Sequence, residues 1–215
     1  MSGFAAPRQN SGEQTLDREQ GMYQKNMGAR LAVVALGLAS AAQAAGPGGA
    51  RAGFLFQGDL DYGGDDVATV YFEDDSSQDL KAGQGLGISL GGWFRPIEDS
   101  SFEIQGSLGY KFSTTAADNA DIGMSRTLLQ IEGLYRWPNG MFVGGGLMRH
   151  MSPKLDGDGF FPDIDFDDAN GFNAEVGWRW VSLHYTHITY KSDLFEDVDG
   201  SAFGIRFTWR LGAAN

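Results

Sequence analysis

Strict alternation of apolar and polar residues recurs eight times along this chain, and a period of two dictates strands with two unlike faces. In FEIQGSLGYKF (102–112), Phe102, Ile104, Gly106, Leu108, Tyr110 and Phe112 share one side, while Glu103, Gln105, Ser107, Gly109 and Lys111 share the other. In a soluble sandwich the apolar side would meet a core. In a membrane barrel it meets lipid, and the polar side turns inward.

The other segments are AGFLFQGDLDY (52–62), QGLGISLGGWF (84–94), RTLLQIEGLYRW (126–137), MFVGGGLMRHM (141–151), GFNAEVGWRW (171–180), VSLHYTHITY (181–190) and SAFGIRFTWRL (201–211). Between the sixth and seventh the apolar residues switch from even positions, through Trp180, to odd ones from Val181. That slip of phase requires a tight turn although no Gly or Pro marks it. Long connections at 63–81, 115–125, 152–170 and 191–200 alternate with short ones at 95–101, 138–140 and 180. An even strand count with long loops at one end and short turns at the other predicts an all-β, eight-stranded antiparallel up-and-down transmembrane β-barrel.

Two further patterns agree with a barrel in lipid. The rows Phe54, Phe56, Leu60; Leu86, Ile88, Leu90; Leu129, Ile131, Tyr135; and Ile205, Phe207, Trp209, Leu211 carry no charge. A charge at mid-bilayer would cost about 2–4 kcal/mol. All five Trp fall near the short turns, with Trp93 facing inward by parity, while Tyr62, Tyr110, Phe112, Phe172, Tyr190 and Phe203 gather toward the long loops, which predicts two aromatic belts. No run approaches the roughly 20 apolar residues of a spanning helix.

The longest such run, LAVVALGLA (31–39), lies between Lys25 and Arg30 and the small residues Ala42 and Ala44, the layout of a secretory signal. This predicts a signal peptide over 22–44, an extension at 1–21 outside the fold with translation starting at Met22 or Met27, and a barrel over 45–215. The chain has no Cys, so strand closure and packing must supply stability. A net charge of −12 without a basic run excludes nucleic acid as a partner.

The polar faces carry Asp59, Asp61, Glu103, Lys111, Glu132, Arg136, Glu175, Arg179, Arg206 and Arg210, acids and bases in equal number. Eight strands leave room inside only for side chains. The expectation is an interior of mutual pairing, with Glu132 and Glu175 contacting Arg206 and neighbouring arginines.

The ending AFGIRFTW (202–209) resembles the C-terminal insertion signal that barrel assembly machinery recognises, although it runs on through RLGAAN. The mature chain is similar to small outer-membrane barrels of the outer membrane protein A, X and W kind. That resemblance implies the outer membrane of a Gram-negative bacterium, Sec export, outer-membrane lipids and lipopolysaccharide as surroundings, and for the W kind a lateral path for small apolar solutes. It leaves activity open.

Three candidate sites arise from the loops. His187-Ile188-Thr189, with Glu196 downstream, resembles the lipid-facing His-x-Ser pair and Glu of the lipid A 3-O-deacylase family, with Thr189 in the place of the nucleophilic Ser and Tyr190 where that family has Asn. Asp163, Asp165 and Asp167 alternate as in a calcium loop, but Asp168 stands where Gly is needed and no Glu supplies the bidentate ligand. Arg149 and Lys154 lie at the rim, placed to meet lipid phosphates. His150 and His184 face inward as network residues, no zinc spacing exists, and no cofactor is expected. The VATVYF segment, flanked by acids, reads as a continuation of the first two strands above the membrane, with a strand edge for an extracellular protein ligand as the alternative. The first expectation of function is a non-enzymatic structural or surface-interaction role, with lipid A hydrolysis and solute passage as alternatives.

Overall fold

A computed structural model describes residues 51–71, 77–97, 100–114, 122–160, 162–192 and 195–211. The expected extension, the signal segment and the last four residues lie outside the described residues. In chain order the strands are β1 (Arg51–Tyr62), β2 (Asp66–Tyr71), β3 (Ser77–Lys81), β4 (Gly85–Arg95), β5 (Phe102–Thr114), β6 (Gly123–Arg136), β7 (Met141–Asp156), β8 (Ile164–Asp165), β9 (Ala169–Trp178), β10 (Val181–His187), β11 (Thr189–Ser192), β12 (Phe195–Asp199) and β13 (Ala202–Leu211). No helix occurs among the described residues.

Eight of these close into a barrel. Each of β1, β4, β5, β6, β7, β9, β10 and β13 pairs antiparallel with the next, and β13 returns to β1 with Phe54 opposite Leu211 and Tyr62 opposite Phe203. Closure leaves the barrel wall without a free edge. The hairpins β2–β3 and β11–β12 form separate two-stranded sheets, and β8 adds to the far end of β7.

The burial pattern is that of a soluble protein turned inside out. Leu90 and Leu147 are each 67% exposed on the outside, whereas Glu103 is 0% and Arg206 1% exposed within. Such an exterior is stable only against hydrocarbon, so the barrel spans a membrane by its strands. Trp137, Trp178, Trp180 and Trp209 are exposed near the short turns, while Tyr62, Tyr110, Phe112, Phe172 and Phe203 are exposed toward the loops. Trp93 is buried, pointing inward as its parity requires.

Local departures have physical causes. Tyr190, expected in the outer aromatic belt, is fully buried. Tyr190 shares inward parity with Ser182, His184 and Ile188, and with the seventh wall strand ending at His187 it lies in the interior of the loops. The phase slip is a two-residue turn, with Trp178 opposite Val181 and Arg179 in the left-handed region at φ 55°. Hydrogen bonding of the Arg179 N–H to the Gly140 carbonyl, at 2.8 Å, holds that uncommon backbone. Gly204 is required by packing: a Cβ there would strike the Asp61 carboxylate.

Candidate functional site

The interior is filled in three tiers of charge. At mid-height Arg206 Nε donates to Asp59 Oδ1 on the adjacent strand at 2.6 Å, Nη1 to Glu132 Oε1 at 2.6 Å and Nη2 to Gln130 Oε1 at 3.1 Å. Since β13 and β6 lie four strands apart around the ring, this one guanidinium ties opposite walls together. Asn173 donates to the same Glu132 oxygen. Glu175 accepts from Ser182 Oγ at 2.8 Å and makes no ion pair with Arg206 within 4 Å, unlike the direct contact expected.

Toward the short turns Glu103 accepts from Arg95 at 3.0 Å, Arg136 at 3.1 Å and Arg210 at 3.2 Å, besides Gln105 at 2.8 Å. Arg179, placed in the interior by parity, lies instead on the exposed turn, its guanidinium over the Trp178 ring at 4.3 Å. Toward the loops Asp61 meets Lys111 at 2.7 Å and His184 Nε2 at 2.6 Å. Lys111 also donates to the Gly83 carbonyl, and Arg126 Nη2 donates to Gly83 and Gln84. These cations dock the incoming turn of the first loop into the barrel mouth.

Above the charges sits an apolar lid. Leu80 and Ala82 of the first loop, Ile122 and Met124 after the second, Leu155, Phe166 and Ala169 around the third, and Ile188 and Tyr190 of the fourth make one buried cluster. Val67, Ala68, Ile164 and Val198 pack against it. His150 Nδ1 contacts the Tyr190 hydroxyl at 2.6 Å, joining the lid to the wall. The described parts of the loops are thus tied down by the burial of their apolar side chains.

The candidates read from the loops fall apart in different ways. His187 is exposed beside Phe172, and its Nδ1 meets Ser201 Oγ at 3.0 Å, a hydroxyl other than that of Thr189. Thr189 lies opposite Asp199 in the β11–β12 hairpin, and Glu196 is exposed on β12. Asp163 pairs with Lys154 at 2.7 Å, and among the described residues no group of three or more His, Cys, Asp or Glu converges as a metal cage. Asp165 and Asp167 are exposed. Arg149 pairs with Asp168 at 2.9 Å, so both rim cations expected at lipid phosphate hold loop carboxylates.

Those pairs fasten the third loop. The Ser152 N–H donates to Asp168 at 2.9 Å and, with Arg149, holds its carboxyl below the usual carboxylate range. Lys154 and the Gly157 N–H hold Asp163 low in the same way. A depressed folded pKa contributes stability above the unfolded value, near about 4, that is lost as pH falls through the folded value. Asp168→Ala should therefore speed amide exchange at Ser152 about fivefold at neutral pH, as expected for the loss of one hydrogen bond of ~1 kcal/mol. In the unaltered chain the same loosening should appear only below about pH 4. Unchanged exchange in D168A would show that the loop is held by its apolar residues alone.

Two participants escape the alternation pattern. Arg126 shares inward parity with Gln130 and Glu132, but the alternation starts at Arg126 itself, whereas β6 begins at Gly123. Arg95 ends β4, where parity no longer tells wall from rim.

A closed wall, a charged filling and an ordered outer lid define a small plugged transmembrane barrel. No protein-family model matches this chain, and no curated protein matches it. Among solved structures it is similar to Ail, the attachment invasion locus protein of Yersinia pestis, at 10% identity over 75% of this chain and 99% of that one, with a TM-score of 0.42. Ail in complex with the heparin analogue sucrose octasulfate gives 10% identity, the same coverage and a TM-score of 0.40.

Proposed function

We propose that this chain is a non-enzymatic barrel of the Gram-negative outer membrane whose task is to display an ordered acidic surface to the exterior. Residues 22–44 would direct its export through the Sec pathway, residues 1–21 would take no part in the fold, and 45–215 would insert with the help of the barrel assembly machinery among lipids and lipopolysaccharide. The signal-like layout of 31–44 and the apolar exterior support this placement.

The observation that carries the functional reading is the lid. Buried residues in or beside all four long loops pack together, so the described groups above them stand on a fixed platform. Those loops (63–84, 115–122, 152–168 and 188–201) hold 18 acids against three lysines. A field of one sign focuses counter-charged partners and repels like-charged ones. The partner that fits is a basic extracellular protein, and a sulfated polyanion such as the heparin analogue bound by Ail does not fit.

The test compares cells displaying the full chain with cells whose β2–β3 and β11–β12 hairpins are replaced by short turns. A heat-dependent gel shift reports folding of both barrels. Retention on an immobilised cationic protein should depend on the hairpins and fall with salt. Equal retention of the two strains, or retention on heparin alone, would contradict the proposal. The filled interior also predicts no stepwise conductance in planar bilayers, and discrete channels would contradict that part.

A further inference from the structure

The end of the barrel away from the acidic loops has the opposite charge. A cavity of about 750 Å³ opens there, lined by Arg95, Arg136, Arg179 and Arg210 together with Trp180 and Trp209. Among the described residues the carboxylate at this cluster is Glu103, which three of the four guanidiniums share. Arg179 has no carboxylate partner among the described residues, and Arg95 Nε is buried without a hydrogen-bond partner. Among the described residues cations thus exceed anions by three around one cavity, in a chain whose formal charge is −12.

We propose that this cavity binds a phosphate group. Guanidinium forks match tetrahedral oxyanions through paired N–H donors, and a dianionic or shared phosphate would satisfy the donors that Glu103 leaves open. Trp180 and Trp209 are 51% and 47% exposed, with tryptophan at the depth of a headgroup layer. The cavity therefore lies where the phosphate of an inner-leaflet phospholipid passes, and free phosphate from the adjoining aqueous space presents the same chemistry. Glu103 acts as the internal competitor that keeps the arginines gathered when no phosphate is bound.

The choice of variant follows from the contacts. Arg136 and Arg210 are needed to pair Glu103, whereas Arg95→Gln with Arg179→Gln removes two cations and leaves that carboxylate with two partners. The refolded full chain in a phosphate-free maltoside detergent is titrated by calorimetry with inorganic phosphate, and separately with dihexanoyl phosphatidylglycerol, at constant ionic strength set by chloride. Saturable binding at least tenfold weaker in R95Q/R179Q is expected. Binding of both probes assigns a free-anion site, and binding of the lipid alone assigns a headgroup site. Glu98 and Asp99 of the neighbouring turn lie outside the described residues, and repeating the titrations in an E98Q/D99N variant keeps them from masking the site. Glu103→Gln, if it folds, should bind at least threefold more tightly. If R95Q/R179Q fails to fold, Arg179→Gln alone, at an exposed turn, should still weaken binding. No binding of either probe in the unaltered chain and in E98Q/D99N, or equal binding by the arginine variants, overturns the proposal.

Discussion

Arg206→Leu is expected to destabilise the refolded barrel by about 3–5 kcal/mol, measured as a shift of the urea midpoint in detergent or lipid. The guanidinium is 1% exposed and is the partner of both Asp59 and Glu132, each 2% exposed at the side chain. Its removal strands two buried carboxylates, and that desolvation cost exceeds whatever the added leucine gains by packing. The pairing also spans the lumen from β13 to β6, so its loss weakens contact between walls that share no backbone hydrogen bonds. A triple variant, Asp59→Asn, Glu132→Gln and Arg206→Leu, should recover much of the loss, because it leaves neither Asp59 nor Glu132 as a stranded charge. If R206L alone were within 0.5 kcal/mol, on the order of an ordinary surface change, the lumen network would not be what holds the walls.

Leu90→Arg should cost about 2–4 kcal/mol in a bilayer. Leu90 is 67% exposed and lies opposite Phe56 on one side and Leu108 on the other, near the middle of the apolar band. Phe203→Arg, at the rim opposite Tyr62, should cost only about 0–1 kcal/mol, because its charge reaches the headgroups. The difference between the two sites reports depth and cancels whatever the substitutions do to strand propensity. Equal costs at both would mean that Leu90 does not face hydrocarbon.

The wall of the barrel was legible because parity is a local property. Once Leu86, Ile88 and Leu90 face one way, Ser89 must face the other, and the turn after Trp178 shows itself as a slip of phase without any glycine. What parity cannot show is where a strand leaves the wall. Tyr190 has inward parity with Ser182 and His184, but its segment leaves the wall after His187, so the ring fills the lid rather than the lumen. Long side chains are equally opaque. Alternation places Arg206, Glu132 and Glu175 inside, but which carboxylate receives the guanidinium depends on reach across the ring, and Glu175 finds Ser182 instead. Arg179 has inward parity, but a residue at a two-residue turn belongs to the rim rather than to a face. The loop candidates are not brought together for a related reason. Spacing lined up Asp163, Asp165 and Asp167, while Lys154, on the neighbouring strand, had already claimed the first. His187 and Thr189 were neighbours in the sequence, but the hydroxyl at His187 came from Ser201 at the far end of the fourth loop.

The absence of cysteine from the chain makes the central claim open to a direct measurement. Single cysteines at Asp197 in the fourth loop, Ser89 in the lumen and Leu90 on the outer wall can be treated in intact cells with a membrane-impermeant maleimide. The plugged transmembrane barrel predicts rapid labelling at Asp197→Cys and none at Ser89→Cys or Leu90→Cys. Once labelled in denaturant with a fluorophore and refolded, only the Leu90 position should be quenched by brominated lipid chains. Labelling of the Leu90 position at the rate of the loop position, with no quenching by those chains, would contradict a wall that faces lipid.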